Sequence, residues 1–436
     1  MIRQRPKRSL TLRGLETLEA RGLMSASGIG HGAQNFVYTE TDNSNLNQNA
    51  VIAYRQNAQG QVREIGSFKT DGTGVANPTG LLGPDDSNDE VIASPDGRFI
   101  FAVNQGSNSI AEFRVNGNGS LDLVGHSAVN SGGTQPISLS IANDRLYVLN
   151  RGNEVQGETA TVAPTITVFN ILPFGGLARD SAATTKLPLG DSPSQLLISS
   201  KSQEAFLDTF APTPVIGNVP DANEVVPFRI AANGSLVPIA SGGVGGATVN
   251  PPELLGLFQH PTENIVYAGI TGAGEVGVFS VDGAGNLKLV DTVAVQGKAP
   301  CWTAVSPDGK FLYTVDTGTN SVGVFSLANP LKPVQIQEFT LGGPQNSTGD
   351  PTAARQTTDF ELSFNPSGNT LYVIDHSTDA TGAFQQGNAL HVLSVAANGQ
   401  LSESASSPVF LPGNIPAGAD PQGVATIAAH GFGGRR

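Results

Sequence analysis

Apolar and polar positions alternate in short runs along most of this chain, and the runs come in fours. The cleanest copy spans Cys301–Phe339, where four apolar runs are divided by turn residues. Alternation over four to eight residues, bounded by Gly, Pro, Asn and Asp, predicts half-buried β-strands. The body of the chain shows no convincing i, i+3, i+4, i+7 apolar spacing of an amphipathic helix. The four-run block recurs about seven times at a period of roughly 50–60 residues.

First strands are predicted to start near Pro136, Pro193, Pro252, Pro300 and Pro421, and at Asp89 and Asp359 without the proline. Second strands are expected at Phe99–Asn104, Leu146–Asn150, Ala205–Asp208, Ile265–Gly269, Leu312–Asp316 and Leu371–Asp375. Third strands follow, as at Ser109–Arg114 and Ser321–Ser326. Hairpin turns at Asn116-Gly117, Asn233-Gly234, Asp282-Gly283 and Asn398-Gly399 then lead into fourth strands, since such pairs supply positive φ.

The two ends fix the count. The repeats begin with second-, third- and fourth-type strands (Asn35–Thr41, Val51–Arg55, Val62–Lys69) that no first strand precedes. The missing strand is expected at Pro421–Ala429, where it would close the ring and remove exposed edges. The expectation is an all-β, seven-bladed β-propeller with four strands per blade over residues 35–430. A basic arm (1–34) precedes it and a short tail (431–436) follows.

Composition agrees with this reading and narrows the function. Gly at 53 and Pro at 28 suit many turns. The first 22 residues carry six Lys/Arg against two Glu, a charge of +4, so the rest of the −13 chain carries −17. An acidic body repels phosphate backbones, which argues against nucleic acid. No apolar run reaches the length of a membrane span. Cys301 is the only cysteine, which excludes an intramolecular disulfide and a thiolate zinc cluster. No metal or cofactor motif emerges, and a monomer is expected.

Long connections are predicted at 71–88, 151–164, 209–223, 342–358 and 377–388. All fall on the face shared by second-to-third loops and blade crossings, while the opposite face has short turns throughout. Loops of that length are functional or disordered more often than neutral. The site is therefore expected at the insertion-bearing mouth of the central channel.

The strand-plus-loop pattern Leu-Tyr-Val-Leu-Asn150 and Leu-Tyr-Thr-Val-Asp316-Thr-Gly-Thr-Asn-Ser-Val-Gly-Val resembles the YVTN-type repeat. With the Ser94-Pro-Asp-Gly97 and Ser306-Pro-Asp-Gly309 turns, the chain resembles the seven-bladed lactonase propellers. That group contains bacterial 6-phosphogluconolactonase and carboxymuconate cyclase. The resemblance implies hydrolysis of a sugar or related lactone. It needs a base to activate water and a donor or cation for the carbonyl oxygen. His376 or Glu253 is the expected base, and Arg151 the clamp for an anionic group. Ligand contacts are expected from Asn104, Asp208, Trp302, Asp316, Asp359 and Gln422, with Glu361 and Asp375 at the same mouth. Turn chemistry is the competing role for the Asp and Asn at strand ends, and core packing for Trp302.

Two positions depart from the family pattern. Members similar to 6-phosphogluconolactonase carry Gly-Cys-His-Ser and Gly-Pro-Arg-His at two inner-strand starts, where this chain reads Pro193-Ser194-Gln195 and Pro252-Glu253-Leu254. A phosphorylated substrate is therefore not expected. A non-catalytic exported propeller, binding a protein or glycan through its insertion-bearing face, is the alternative. The segment Leu18-Glu19-Ala20-Arg21-Gly22-Leu23 resembles the L-E-x-R-x-L-L segment of exported planctomycete proteins, which implies an extracellular, periplasmic or surface location.

Overall fold

The second run of each block is apolar at both alternating positions, and it becomes the spine of a sheet. In Phe99–Asn104 all six residues are buried, because neighbouring blades cover both faces. The computed structural model describes residues 34–75, 87–153, 160–199, 204–210, 223–239, 243–245, 253–342, 357–377, 388–404, 406–412, 415–416 and 419–429. They lie within one compact unit, Ala33–Arg436.

Seven antiparallel sheets form, each with first to fourth strands side by side. Blade 1 holds Asn35–Glu40, Ala50–Gln56 and Val62–Lys69, and blades 2 to 7 follow in chain order. The first strands of blades 2 to 7 are Val91–Ala93, Pro136–Ala142, Pro193–Ile198, Leu254–Gln259, Pro300–Val305 and Thr357–Phe364. Each packs on the first strand of the next blade, so these strands ring a central channel. Apolar clusters lie between successive blades: Ile100 and Phe113 meet Tyr38 and Val51 between blades 2 and 1, for example. Apart from two three-residue 3₁₀ turns, the described elements are strands. No helix among them is long and apolar enough to cross a membrane.

The ring closes as expected. Ala425–Ala428 pairs antiparallel with Asn35–Tyr38 and supplies the missing strand of blade 1. This strand is shorter than the predicted Pro421–Ala429 because Gly423 adopts φ +73. A Cβ there would sit 2.8 Å from the Val91 backbone nitrogen, so the turn admits only glycine. Pairing resumes beyond the kink, where the Glu40 N–H donates to the Gln422 carbonyl at 2.9 Å.

The hairpin turns differ from the two-residue form. In each, the amide of a left-handed glycine bonds the carbonyl three residues back, as from Gly119 to Asn116 and from Gly285 to Asp282. The positive φ thus falls on Gly119 and Gly285, not on Gly117 and Gly283. A three-residue loop, with a type I turn followed by a left-handed glycine, accounts for the shift.

The inner strands are irregular. Pairing with the second strand slips between Pro193 and Gln195, Leu255 and Phe258, Pro300 and Thr303, and Asp359 and Leu362. Extra residues in one strand re-aim the side chains beside them. Trp302, Phe360 and Glu361 all sit inside such irregularities.

Candidate active site

The channel holds a cavity of about 490 Å³, within the size range of small-molecule pockets. It runs from inner-strand starts, at Asn88, Asp89, Gln195 and Glu361, to the short-turn prolines Pro95, Pro261 and Pro307. Burial grades along it. Glu361 and Asn88 are buried, Ile92, Leu197 and Phe258 are part-exposed, and Pro95 and Pro307 are exposed. The cavity therefore reaches the short-turn face. Most of the predicted insertions on the opposite face lie outside the described residues.

Three carboxyl groups gather at the inner end. Asp89 takes a left-handed backbone (φ 66), and its Oδ2 accepts Gln195 Nε2 at 2.8 Å. Loss of hydration pushes its carboxyl up to about 6, against the lowering effect of that bond. Glu361 faces the cavity, and Glu90 lies within hydrogen-bonding reach of it. Glu90 Oε1 accepts Ser87 Oγ, and Glu361 Oε2 accepts the Val424 N–H at 3.2 Å. The remaining oxygens, Glu90 Oε2 and Glu361 Oε1, are buried and accept no hydrogen bond in the structure. Burial raises both carboxyls; the charges of Glu90 and Asp89 raise Glu361 further.

A network behind these acids fixes them. Trp302 is fully buried, and its Nε1–H donates to the Ser87 carbonyl at 2.7 Å, joining blade 6 to the strand entry of blade 2. Gln195 Oε1 accepts the Leu257 N–H. Its own backbone N–H donates to Asp208 Oδ1 at 2.6 Å, and Asp208 Oδ2 accepts the Gly256 N–H at 2.9 Å. Gly256 sits at φ +71, and a Cβ there would lie 2.4 Å from the Cys301 carbonyl oxygen. The acid Asp208 thus anchors two inner strands, and burial raises its own carboxyl to about 7.

The family model described as "Lactonase, 7-bladed beta-propeller" matches residues 31–162 and 225–407. The chain belongs to this family. No curated protein matches it in sequence. Among solved structures it is similar to the periplasmic gluconolactonase of Pseudomonas aeruginosa. The TM-score is 0.64 at 17% identity, over 91% of this chain and 100% of that one. A candidate 6-phosphogluconolactonase of Bacteroides fragilis gives 0.63 at 16% identity, over 91% and 98%. A hypothetical selenium-binding protein of Sulfolobus tokodaii gives 0.57 at 13% identity, over 91% and 93%. At these identities the likeness is one of fold.

In this lactonase-family propeller the sequence-predicted residues are spread over several blades. Arg151 follows blade 3's second strand, Arg145–Asn150, and its Nη2 donates to Ser192 Oγ at 2.8 Å. Glu253 enters blade 5 at φ 51, with its carboxyl raised by burial. His376, at the end of blade 7's second strand, packs its ring tilted against Phe360 with centroids 4.1 Å apart, and Phe360 packs tilted against Trp302 with centroids 4.3 Å apart. Burial lowers His376 to about 3, so its ring is neutral. None of the three is among the residues lining the cavity.

The predicted contact residues are all buried. Asn104 Oδ1 accepts Asn49 Nδ2 at 3.0 Å and Thr70 Oγ1 at 2.6 Å, tying blade 2 to blade 1. Asp316 accepts Thr314 Oγ1 at 2.8 Å, and burial and Glu338 raise its carboxyl well above the usual range. Asp359 lies opposite Asp375 in strand register and is raised by burial, then by Asp375 and Asp316. Gln422 pairs through its carbonyl with Glu40 and Thr39 Oγ1. Asp89 and Glu90, which sequence reasoning read only as a strand start, lie together with Glu361 at the inner end of the cavity.

Proposed function

We propose that this propeller hydrolyses a lactone ring in the central cavity. The observation that carries the reading is the gathering, at one cavity end, of the Asp89 carboxyl with the adjoining, buried Glu90 and Glu361 carboxyls. Two acid groups whose environments separate their protonation states divide the roles of base and acid. Asp89, raised to about 6, is ionised at neutral pH and is placed to take a proton from water. Glu361, protonated through its pairing with Glu90, donates to the lactone oxygens.

The step balances. Water oxygen bonds the acyl carbon while its proton passes to Asp89. The acyl C–O ring bond breaks, and the departing oxygen takes the Glu361 proton, giving a hydroxy acid. Proton return from Asp89 through solvent resets the pair. Export of the chain belongs to the same proposal and rests on the N-terminal segment. Fractionation of the native host's cells tests it.

The hydrolase reading is tested by following acid release at constant pH from a panel of lactones with the full chain. Saturable turnover above the spontaneous rate is expected for at least one lactone. Spontaneous rates throughout would overturn the reading.

A further inference from the structure

We infer that the cavity takes a neutral lactone bearing an apolar substituent, with the ring at the carboxyl end and the substituent toward the short-turn face. This rests on the hydrolase reading above and names its substrate class.

The cavity has two chemically distinct zones. Its inner end is polar, with Asp89, Gln195 and Glu361. Its outer part is mainly apolar, with Ile92, Ile141, Leu197, Phe258, Val305 and Phe364 from six blades, interrupted by Ser140, Thr303 and Ser363. A ligand matching both zones is polar at one end and hydrocarbon at the other. Among the described lining residues there is no Lys, Arg or His. A phosphate or carboxylate on the ligand would therefore leave water without meeting a counter-charge, beside acids, inside a body of net charge −17. The many hydroxyls of an unmodified sugar would meet few partners there, since Ser140 Oγ already accepts the Ile198 N–H and Thr303 Oγ1 already donates to the Gly256 carbonyl. An alkyl chain matches the outer part, since each buried methylene contributes a factor of about four in affinity.

The test is a substrate series with the full chain: δ-valerolactone, δ-octalactone and δ-decalactone, against glucono-δ-lactone and its 6-phosphate. The kcat/KM is expected to rise about fourfold per added methylene over the first few, with the phosphorylated lactone poorest. Leu197→Ser is expected to flatten that dependence. A preference for the sugar lactones, or no dependence on chain length, overturns the inference and leaves hydrolysis standing. Binding of the matching 6-alkyl-δ-lactams, which resist hydrolysis, separates the two claims. Affinity rising with chain length but no turnover of any lactone sinks the hydrolase reading alone. Equal affinity for all lactams overturns the inference whatever the turnover.

Discussion

Gln195 Nε2 donates to Asp89 Oδ2 at 2.8 Å across 106 residues of sequence, and the same carboxamide accepts the Leu257 N–H. One side chain thus joins the inner strands of blades 2, 4 and 5 at the base of the cavity. Its donor favours the ionised form of Asp89 against burial. Gln195→Leu should therefore raise the Asp89 carboxyl further and move the acid limb of the activity profile up by about one pH unit. An unchanged limb would remove Asp89 from the role of base.

His391 bridges two acids, with Nε2 3.0 Å from Asp375 and Nδ1 2.7 Å from Glu403. Burial lowers its affinity for a proton, but the two carboxylates outweigh burial and raise it to about 10. The unfolded ring binds its proton only below about 6.5. The stabilisation from His391 is thus complete below that pH and is lost as pH rises toward 10. Asp208 and Glu90, raised to about 7, act in the same direction as pH rises through neutrality. Chemical denaturation should show stability falling steadily from pH 6.5 to 9. His391→Leu should cost about 3–5 kcal/mol at pH 6.5 and remove most of the slope above pH 7.5.

Closure of the ring depends on a four-residue strand and the glycine before it. Gly423→Val would place side-chain atoms on the Val91 backbone in a left-handed conformation. The variant should melt several degrees lower by calorimetry, because both the strain and the loosened edge act on blade 1. A variant melting as the wild type does would contradict the closure described here.

Trp302 is the chain's only tryptophan and is fully buried, so fluorescence reads it directly. Native emission should be blue-shifted and insensitive to iodide. Trp302→Phe leaves the Ser87 carbonyl without its donor and should cost about 1–3 kcal/mol.

The propeller was legible because each blade repeats the same buried second strand and the same turn residues. The missing first strand at one end and the spare one at the other gave the closure. The site was only partly legible. Proline opens five of the predicted first strands, and the two that lack it, at Asp89 and Asp359, introduce Asp89, Glu90 and Glu361. That departure was the available signal, and strand alternation masked it. The slips near Trp302 and Glu361 turn side chains in ways that a period of two does not foresee. Trp302 accordingly braces Ser87 from behind, and Asp208 anchors the bulge that carries Gln195. Asp208 is expected at the mouth because it ends a predicted second strand, and Trp302 because an indole can stack on a sugar.

The most direct measurement is kcat/KM of Asp89→Asn on the best lactone, beside wild type and His376→Ala, with folding checked by calorimetry. Asp89→Asn should fall about 10²- to 10⁴-fold while retaining the native melting transition. His376→Ala should lose far less if it remains folded. A folded Asp89→Asn variant with wild-type turnover would contradict the account.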